Sequence, residues 1–438
     1  MCGRIRRPKW RHILQRKPYA GAFHLLVLVG VTVGTWATGT GANGPCGYDV
    51  TIIQAPACPP FGPQATIGRA MNDLGQIAGY HCQCFCGSDE AFFWDGSTFT
   101  TLPRPPGFRA ARAYGMNDQG WIVGSMTQAN IDLNHAVLWQ NGQPIDLGIP
   151  PGGNFSEGLA VNSAGQVVGY WGNNITGPIH GFLWENDVMT DLGPSLGTPS
   201  SRAYGVNDAG QVVGWMGSSL ISDGEAFIWQ DGAVNGLGPI PGGFNSTACA
   251  INSAGHVVGS GKTPEGGFPT GLPHAFLSDA RGMIDLGTLP GTQFSAAADI
   301  NDTSQVVGRS WHVVGIPNIS HGFIWQSGVM KNFDDLIASA LGVSVTIAYA
   351  INEQGQIVGQ ANSAQGTVAV LLSPVGASPA DINTDGVVNV LDLIELLLCF
   401  GQPATPPCDA PDTNQDAVIN VLDLINLLLD FGITCRNS

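Results

Sequence analysis

An eight-residue phrase recurs seven times in this chain: NDLGQIAG from Asn72, NDQGWIVG from Asn117, NSAGQVVG from Asn162, NDAGQVVG from Asn207, NSAGHVVG from Asn252, NDTSQVVG from Asn301 and NEQGQIVG from Asn352. The leading asparagines lie 45, 45, 45, 45, 49 and 51 positions apart. A period in that range belongs to stacked or radial repeat arrays, in which one supersecondary unit cannot bury its apolar face alone. The octet reads as a β-hairpin. Asn, Asp/Ser and Gly supply a turn at which left-handed backbone is cheapest, Val-Val or Ile-Val starts a buried strand, and Gly ends it.

A second signature follows each of the first six octets: EAFFWDG from Glu90, HAVLWQNG from His135, HGFLWEN from His180, EAFIWQDG from Glu225, HAFLS from His274 and HGFIWQSG from His321. These aromatic, β-branched runs read as buried strands closed by a turn. A third follows as TTLP near Leu102, IDLG at Ile145, TDLG at Thr190, NGLG at Asn235 and IDLG at Ile284. With the strand that leads into each octet, the unit is four strands, A to D. The high content of glycine (61) and proline (29) suits many short strands and turns.

The chain ends discriminate between a linear solenoid and a closed propeller. The seventh unit has a first strand (IAYAIN), its octet and a strand at Val368–Leu372, but no fourth strand. Tyr48–Ile53 (YDVTII) is a strand without a unit. One orphan outer strand and one missing outer strand are what circular closure requires, and closure removes an exposed edge. The expected fold class is therefore all-β: a seven-bladed β-propeller of four-stranded blades, closed by the N-terminal strand. In an antiparallel A-B-C-D blade the A–B and C–D turns share one face and the B–C and D–A loops the other. The long, variable loops all fall on the second face, where repeat arrays carry their binding surface.

The flanks differ in composition. Seven of the 17 Lys+Arg lie in the first 17 residues, followed by an apolar run from Ala20 to Ala37 and then TGTGA. That is the layout of a secretory signal, assigned to residues 1–42, with an uncleaved membrane anchor as the alternative. Without those seven cations the net charge falls from −16 to −23. So acidic a surface repels nucleic acid and anionic membranes, and suits an extracellular or cell-surface protein that binds neutral ligands or cations. Nine cysteines follow Cys2, and in an exported chain disulfides are the default.

After the propeller, at 43–374, and a linker at 375–380 comes a tandem: DINTDGVVNVLDLIELLLCFG from Asp381 and DTNQDAVINVLDLINLLLDFG from Asp412. Asp381, Asn383, Asp385, Asn389 and Asp392, with the carbonyl of Val387, present oxygens at the loop spacing that wraps one Ca²⁺. Asp412, Asn414, Asp416, Asn420, Asp423 and the carbonyl of Val418 repeat the set. Gly386 makes the sharp turn of the first loop; Ala417 stands there in the second and weakens that site. Each loop opens a Leu/Ile-rich helix, so a small all-α domain with two EF-hand-like calcium loops is expected at 381–435, with Ca²⁺ as its cofactor. Cys408 and Cys435 bracket the second copy and are candidates for a disulfide.

On these motifs, residues 48–374 resemble HAF repeats, bacterial extracellular repeats named for the His-Ala-Phe run seen at His274–Phe276. The resemblance implies an exported propeller-like array with no settled activity. The tandem resembles a type I dockerin, which implies docking onto a cohesin-like protein or surface scaffold, often in polysaccharide breakdown. At the family's partner-reading positions, usually small hydroxylated residues, this chain has Val390-Leu391 and Val421-Leu422.

Three constellations remain. Tyr80, Tyr170, Trp171, Trp215 and Trp311 lie just past the octets and offer platforms for a glycan, or plain packing. The strand-C residues Glu90, His135, His180, Glu225, His274 and His321 take one equivalent position per blade, which points to a repeated structural hydrogen bond ahead of catalysis. His81, Cys82, Cys84 and Cys86 suit disulfides ahead of a soft metal. The function expected is a secreted, non-catalytic binding or scaffold protein. Its alternative is a polysaccharide hydrolase or lyase with Asp132, Asp223 and Glu265 as candidate carboxylates.

Overall fold

The repeated octet builds the same local structure seven times. The computed structural model describes residues 47–375 except 57–64, 83–87, 132, 174–176, 220–222, 266–270, 313–318 and 338–340, together with Leu393, Leu396, Leu397, Cys399 and Leu424. The signal segment (1–42), the linker residues 376–380, and the twelve calcium-ligand positions with Cys408 and Cys435 lie outside the described residues.

Strand β1 (Tyr48–Ile53) precedes the first blade, which is β2 (Thr66–Met71), β3 (Ile77–Cys82), β4 (Asp89–Trp94) and β5 (Phe99–Thr101). Blade 2 is β6 (Phe108–Met116), β7 (Ile122–Gln128), β8 (Asn134–Gln140) and β9 (Gln143–Gly148). Blade 3 is β10 (Phe155–Val161), β11 (Val167–Gly172), β12 (Ile179–Glu185) and β13 (Val188–Asp191), followed by the single turn α1 (Gly193–Leu196). Blade 4 is β14 (Ser200–Val206), β15 (Val212–Ser219), β16 (Asp223–Gln230) and β17 (Ala233–Gly236). Blade 5 is β18 (Phe244–Ile251), β19 (Val257–Lys262), β20 (Pro273–Asp279) and β21 (Gly282–Gly287). Blade 6 is β22 (Phe294–Ile300), β23 (Val306–His312), β24 (Ile319–Gln326) and β25 (Val329–Asn332). Blade 7 is β26 (Ser344–Ile351), β27 (Ile357–Ser363) and β28 (Gly366–Pro374), and its fourth strand is β1. Tyr48 pairs with Pro374 and Ile53 with Ala369 in an antiparallel ladder, so the closure expected from the chain ends is present.

The A strands neighbour one another around the ring, β26 meeting β2, and so line the axis. The octet asparagines tie them together. Each Asn Oδ1 accepts the backbone N–H four residues on and caps its own turn, as Gln76 N donates to Asn72 at 3.0 Å. Each Nδ2 donates to the carbonyl of the corresponding asparagine in the next blade: Asn72 to Asn117, Asn117 to Asn162, Asn162 to Asn207, Asn207 to Asn252, Asn252 to Asn301 and Asn301 to Asn352. Asn352 donates back to Asn72 at 3.2 Å and completes the circle. All seven are buried, where an unmet carbonyl costs about 1–3 kcal/mol. Only an amide side chain offers both the acceptor and the donor at this length, which accounts for asparagine at every copy.

The last glycine of the octet corrects the sequence reading: it does not end strand B but sits inside it. Gly79 lies within β3, and a Cβ there would stand 2.0 Å from the carbonyl of Ile67 and 2.9 Å from the Phe92 ring. Opposite it, strand A carries a bulge, seen as a register shift between Gly68 and Ala70 and repeated in every blade. The bulge brings the strand A backbone close, and glycine leaves the room. The Phe of the second signature fills the other side: Phe92, Phe182, Phe227, Phe276 and Phe323 are fully buried. The core is thus a set of clusters, most of them between adjacent blades. Among the described residues no helix is long and apolar enough to cross a membrane.

Candidate functional site

On the face of the B–C and D–A loops, blades 1 and 2 enclose a polar cavity of about 420 Å³, lined by Ser88, Asp89, Arg109, Ala110, Arg112, Ser125, Thr127 and Asn134. Strand alternation puts Arg112 of β6 over the ring of Tyr80 of β3, with the guanidinium 5.2 Å from the centroid, and in an ion pair with Asp89. Burial opposes the Arg112 charge, but Tyr114 and Asp89 outweigh it and hold the guanidinium firmly protonated. From the far wall, Thr127 Oγ1 donates to Asn134 Oδ1 at 2.9 Å and Asn134 Nδ2 donates to Glu157 Oε1 at 2.6 Å. Tyr170 Oη donates to Glu157 Oε2 at 2.8 Å, and Arg202 lies over the Tyr170 ring at 4.6 Å. Burial, reinforced by Glu157, pushes the Tyr170 phenol well above its ordinary value, so it remains a donor. The result is a run of planar amide, carboxylate and guanidinium groups beside aromatic rings, a chemistry that recognises hydroxyls in fixed directions.

The five aromatic candidates do not form one platform. Tyr80, Tyr170 and Trp215 occupy the residue after the octet glycine in blades 1, 3 and 4, and Tyr80 and Tyr170 face Arg112 and Arg202 on strand A of the next blade. Trp171 is one residue further and faces the opposite side of its blade, edge-on to His180 at 5.1 Å. Trp311 stacks on Phe294 at 5.5 Å with Arg309 over it at 4.5 Å. Trp215 is buried against Gly224, which has no room for a Cβ. A second cavity, of about 440 Å³, opens between blades 4 and 5 beside Met216, Glu225 and Asn245.

Three of the six strand-C residues make one repeated hydrogen bond, of the kind their repetition suggested; Glu90, Glu225 and His321 do not. His135 Nδ1 meets Asp146 at 2.9 Å, His180 meets Asp191 at 3.0 Å and His274 meets Asp285 at 3.0 Å. In each pair the same carboxylate accepts the N–H two residues beyond it: Gly148, Gly193 and Gly287. The hydrogen bond to Asp285 raises the His274 pKa; burial works against the Asp285 charge, yet the bonds from His274 and Gly287 lower its pKa. Blade 4 keeps the carboxylate and moves its tether. Glu225 replaces the histidine, Gly236 replaces the aspartate, and Gly238 N donates to Glu225 at 2.8 Å. A Cβ on Gly236 would lie 2.3 Å from Glu225 Oε1. In blade 1 Glu90 pairs with Arg104 at 3.3 Å. The constant offset of 11 residues between the partners was legible in the sequence once the two signatures were aligned.

Of the nine cysteines that follow Cys2, Cys249 is a thiol on the bulge of β18, not a disulfide partner; burial pushes its pKa up to about 11. Cys399 is disulfide-bonded. Asp132, Cys84 and Cys86 lie outside the described residues, and Glu265 is exposed.

No family model and no curated protein matches the chain. Among solved structures it is similar to a Mycobacterium tuberculosis puromycin-hydrolyzing peptidase, at 10% identity and a TM-score of 0.47 over 71% of this chain and 51% of that one. It is also similar to prolyl endopeptidases, at 8% identity and a TM-score of 0.44 over 76% and 51%. TolB from Acinetobacter baumannii matches at 11% identity and a TM-score of 0.37 over 75% and 96%. The chain spans about half the length of the peptidases it matches. No activity is carried across from them.

Proposed function

We propose that this chain is an exported, non-catalytic binding protein whose propeller holds a glycan on the face of its long loops, and whose C-terminal tandem anchors it to a cohesin-like protein or surface scaffold in a calcium-dependent way. The observation that supports it most is the cavity between blades 1 and 2, where Asp89, Arg112, Thr127 and Asn134 converge beside Tyr80. Planar hydrogen-bonding side chains next to an aromatic face suit a saccharide, whose ring stacks while its hydroxyls bond at the edges. The acidic flank-free chain and the signal-like start support export; the paired Asp/Asn loops support the calcium-dependent anchor.

Retention of the full chain on immobilised polysaccharides tests the reading, with Asn134→Ala and Asp89→Ala as variants whose folding is checked by melting. A retained polysaccharide, released about tenfold more readily by either variant, corresponds to some 1.4 kcal/mol and supports it. Retention on none of the panel overturns it. Release of new reducing ends, abolished by single carboxylate changes, replaces it with the hydrolase reading.

A further inference from the structure

The charged side chains of the propeller are sorted by strand. Among the described residues, the inner two strands of the blades carry the cations Arg69, Arg109, Arg112, Arg202, Lys262 and Arg309, against the acids Glu157 and Asp299. On the outer two strands, β1 included, ten carboxylates stand against Lys331. The A–B turns add Asp73, Asp118, Asp208, Asp302 and Glu353 on the opposite face. In a chain of net charge −16, a cationic inner ring is the reverse of the average.

Several of these cations are held by aromatic rings, with no carboxylate in direct contact. Arg69 reaches across to both neighbouring blades, 4.3 Å from the Tyr349 ring centroid and 5.9 Å from that of Tyr114, with its Nε enclosed and unpaired. Arg202 lies over Tyr170 and donates to Tyr204 Oη at 3.4 Å. Arg309 is exposed above Trp311. None of the three makes an ion pair among the described residues. An aromatic face orients a guanidinium and leaves its full charge in place.

Resting on the carbohydrate reading above, we propose that the inner strands at the loop face take a short acidic saccharide, its carboxylate drawn to the arginines that make no ion pair and its ring set against the aromatic side chains that carry them. Outer acids on the same blades repel a long polyanion lying across the face, whereas a single uronate inside the ring escapes them. An acidic rim around a cationic centre also focuses a small anion onto one face of the molecule.

The probes are digalacturonate, a glucuronate-capped xylo-oligosaccharide, and the methyl ester of each, titrated calorimetrically into the full chain. The acids are expected to bind at least about tenfold tighter than their esters at 0.05 M salt, and the advantage to shrink at 0.5 M as the charges are screened. Arg309→Gln, on an exposed side chain, is expected to lose about threefold or more of that advantage with ester binding unchanged; Arg202→Gln is expected to lose it too, together with some ester binding, because Arg202 also orients the Tyr170 ring. Esters that bind as well as acids, or an acid preference untouched by both variants, overturn the charge inference and leave the carbohydrate reading standing. No binding of any of the four probes overturns it too; whether the carbohydrate reading falls with it is decided separately by the polysaccharide panel.

Discussion

Asp299 stands where the other blades carry Ala70, Gly115, Ala160, Gly205, Ala250 and Ala350. Its carboxylate accepts the N–H groups of Ile351 and Ile300, both at 2.9 Å, and so stitches blade 6 to blade 7. Burial nevertheless raises its pKa to about 7, against hydrogen bonds that favour the charge. The folded state therefore binds this proton more tightly than the unfolded chain, whose aspartate titrates near 3.9. Stability from this group is greatest below that value, falls as pH rises through the interval, and levels off above about 7. Partial solvent exposure of Asp299 moderates the effect, to about 1–2 kcal/mol. Urea unfolding of wild type and Asp299→Asn between pH 4 and pH 8 should show the gap between them moving by that amount in the variant's favour; a gap independent of pH removes the assignment. The sequence shows Asp299 as the exception among small residues, but not its partner, which lies 52 positions away and becomes a neighbour only when the ring closes.

At the scale of the element, the C–D hairpins of blades 2 to 5 keep one carboxylate in place by either of two tethers. Giving blade 4 the arrangement of blades 2, 3 and 5 takes both Glu225→His and Gly236→Asp. Gly236→Asp alone drives a side chain into Glu225, and Glu225→His alone leaves Gly238 N without an acceptor; each should cost about 1–3 kcal/mol. The double change should recover most of the loss, giving a coupling of about 1–2 kcal/mol in a double-mutant cycle; additive losses would show that the two residues do not share one site. The closing strand is a second test. Deleting Tyr48–Ile53 exposes the edge of β28, removes the Tyr48 ring from Phe333, 5.4 Å away, and uncovers the side of blade 7 where Ile53 is buried. A fall in melting temperature of about 10 °C, or aggregation through the bare edge, is expected; an unchanged melting temperature would contradict the role of β1. The closure was legible because the missing and orphan strands are counted in the sequence itself. The bulge in strand A was not, because it arises from the approach of two backbones, and glycine inside a strand looks like glycine at its end.

For the whole molecule, the tail and the propeller are expected to respond separately to calcium. If the proposed calcium loops form, each would gather like charges when unliganded, Asp381, Asp385 and Asp392 in the first, which would oppose folding until a divalent ion offset them. Calcium added to chelator-treated full chain should increase the helical circular dichroism while the propeller's melting stays constant. Calorimetry should resolve a weaker second event that Ala417→Gly tightens; no heat and no gain of helix would exclude calcium loops. The propeller was legible because its contacts repeat at an interval of 45 to 51 residues and the octets can be aligned. The sorting of cations onto inner strands was hidden until each residue had a strand, since Arg69, Arg202 and Arg309 share no motif in the linear chain.

The register of the seam has a mechanical consequence. Tyr48 pairs with Pro374, and Val375 N donates to the carbonyl of Gly47 at 2.8 Å, so both ends of the ring leave from the same end of the β1–β28 ladder. Tension between residues 47 and 375 loads that ladder like a zip, one pair of hydrogen bonds at a time. Tension between residues 56 and 375 drags the same two strands past each other and loads every bond together. Single-molecule pulling from handles at those two pairs of positions should find the first rupture force well below the second; equal forces would mean that the seam is not what yields. A load borne across both ends would unseat β1 before any other strand, whereas one carried by the C-terminal side alone would leave the ring untouched.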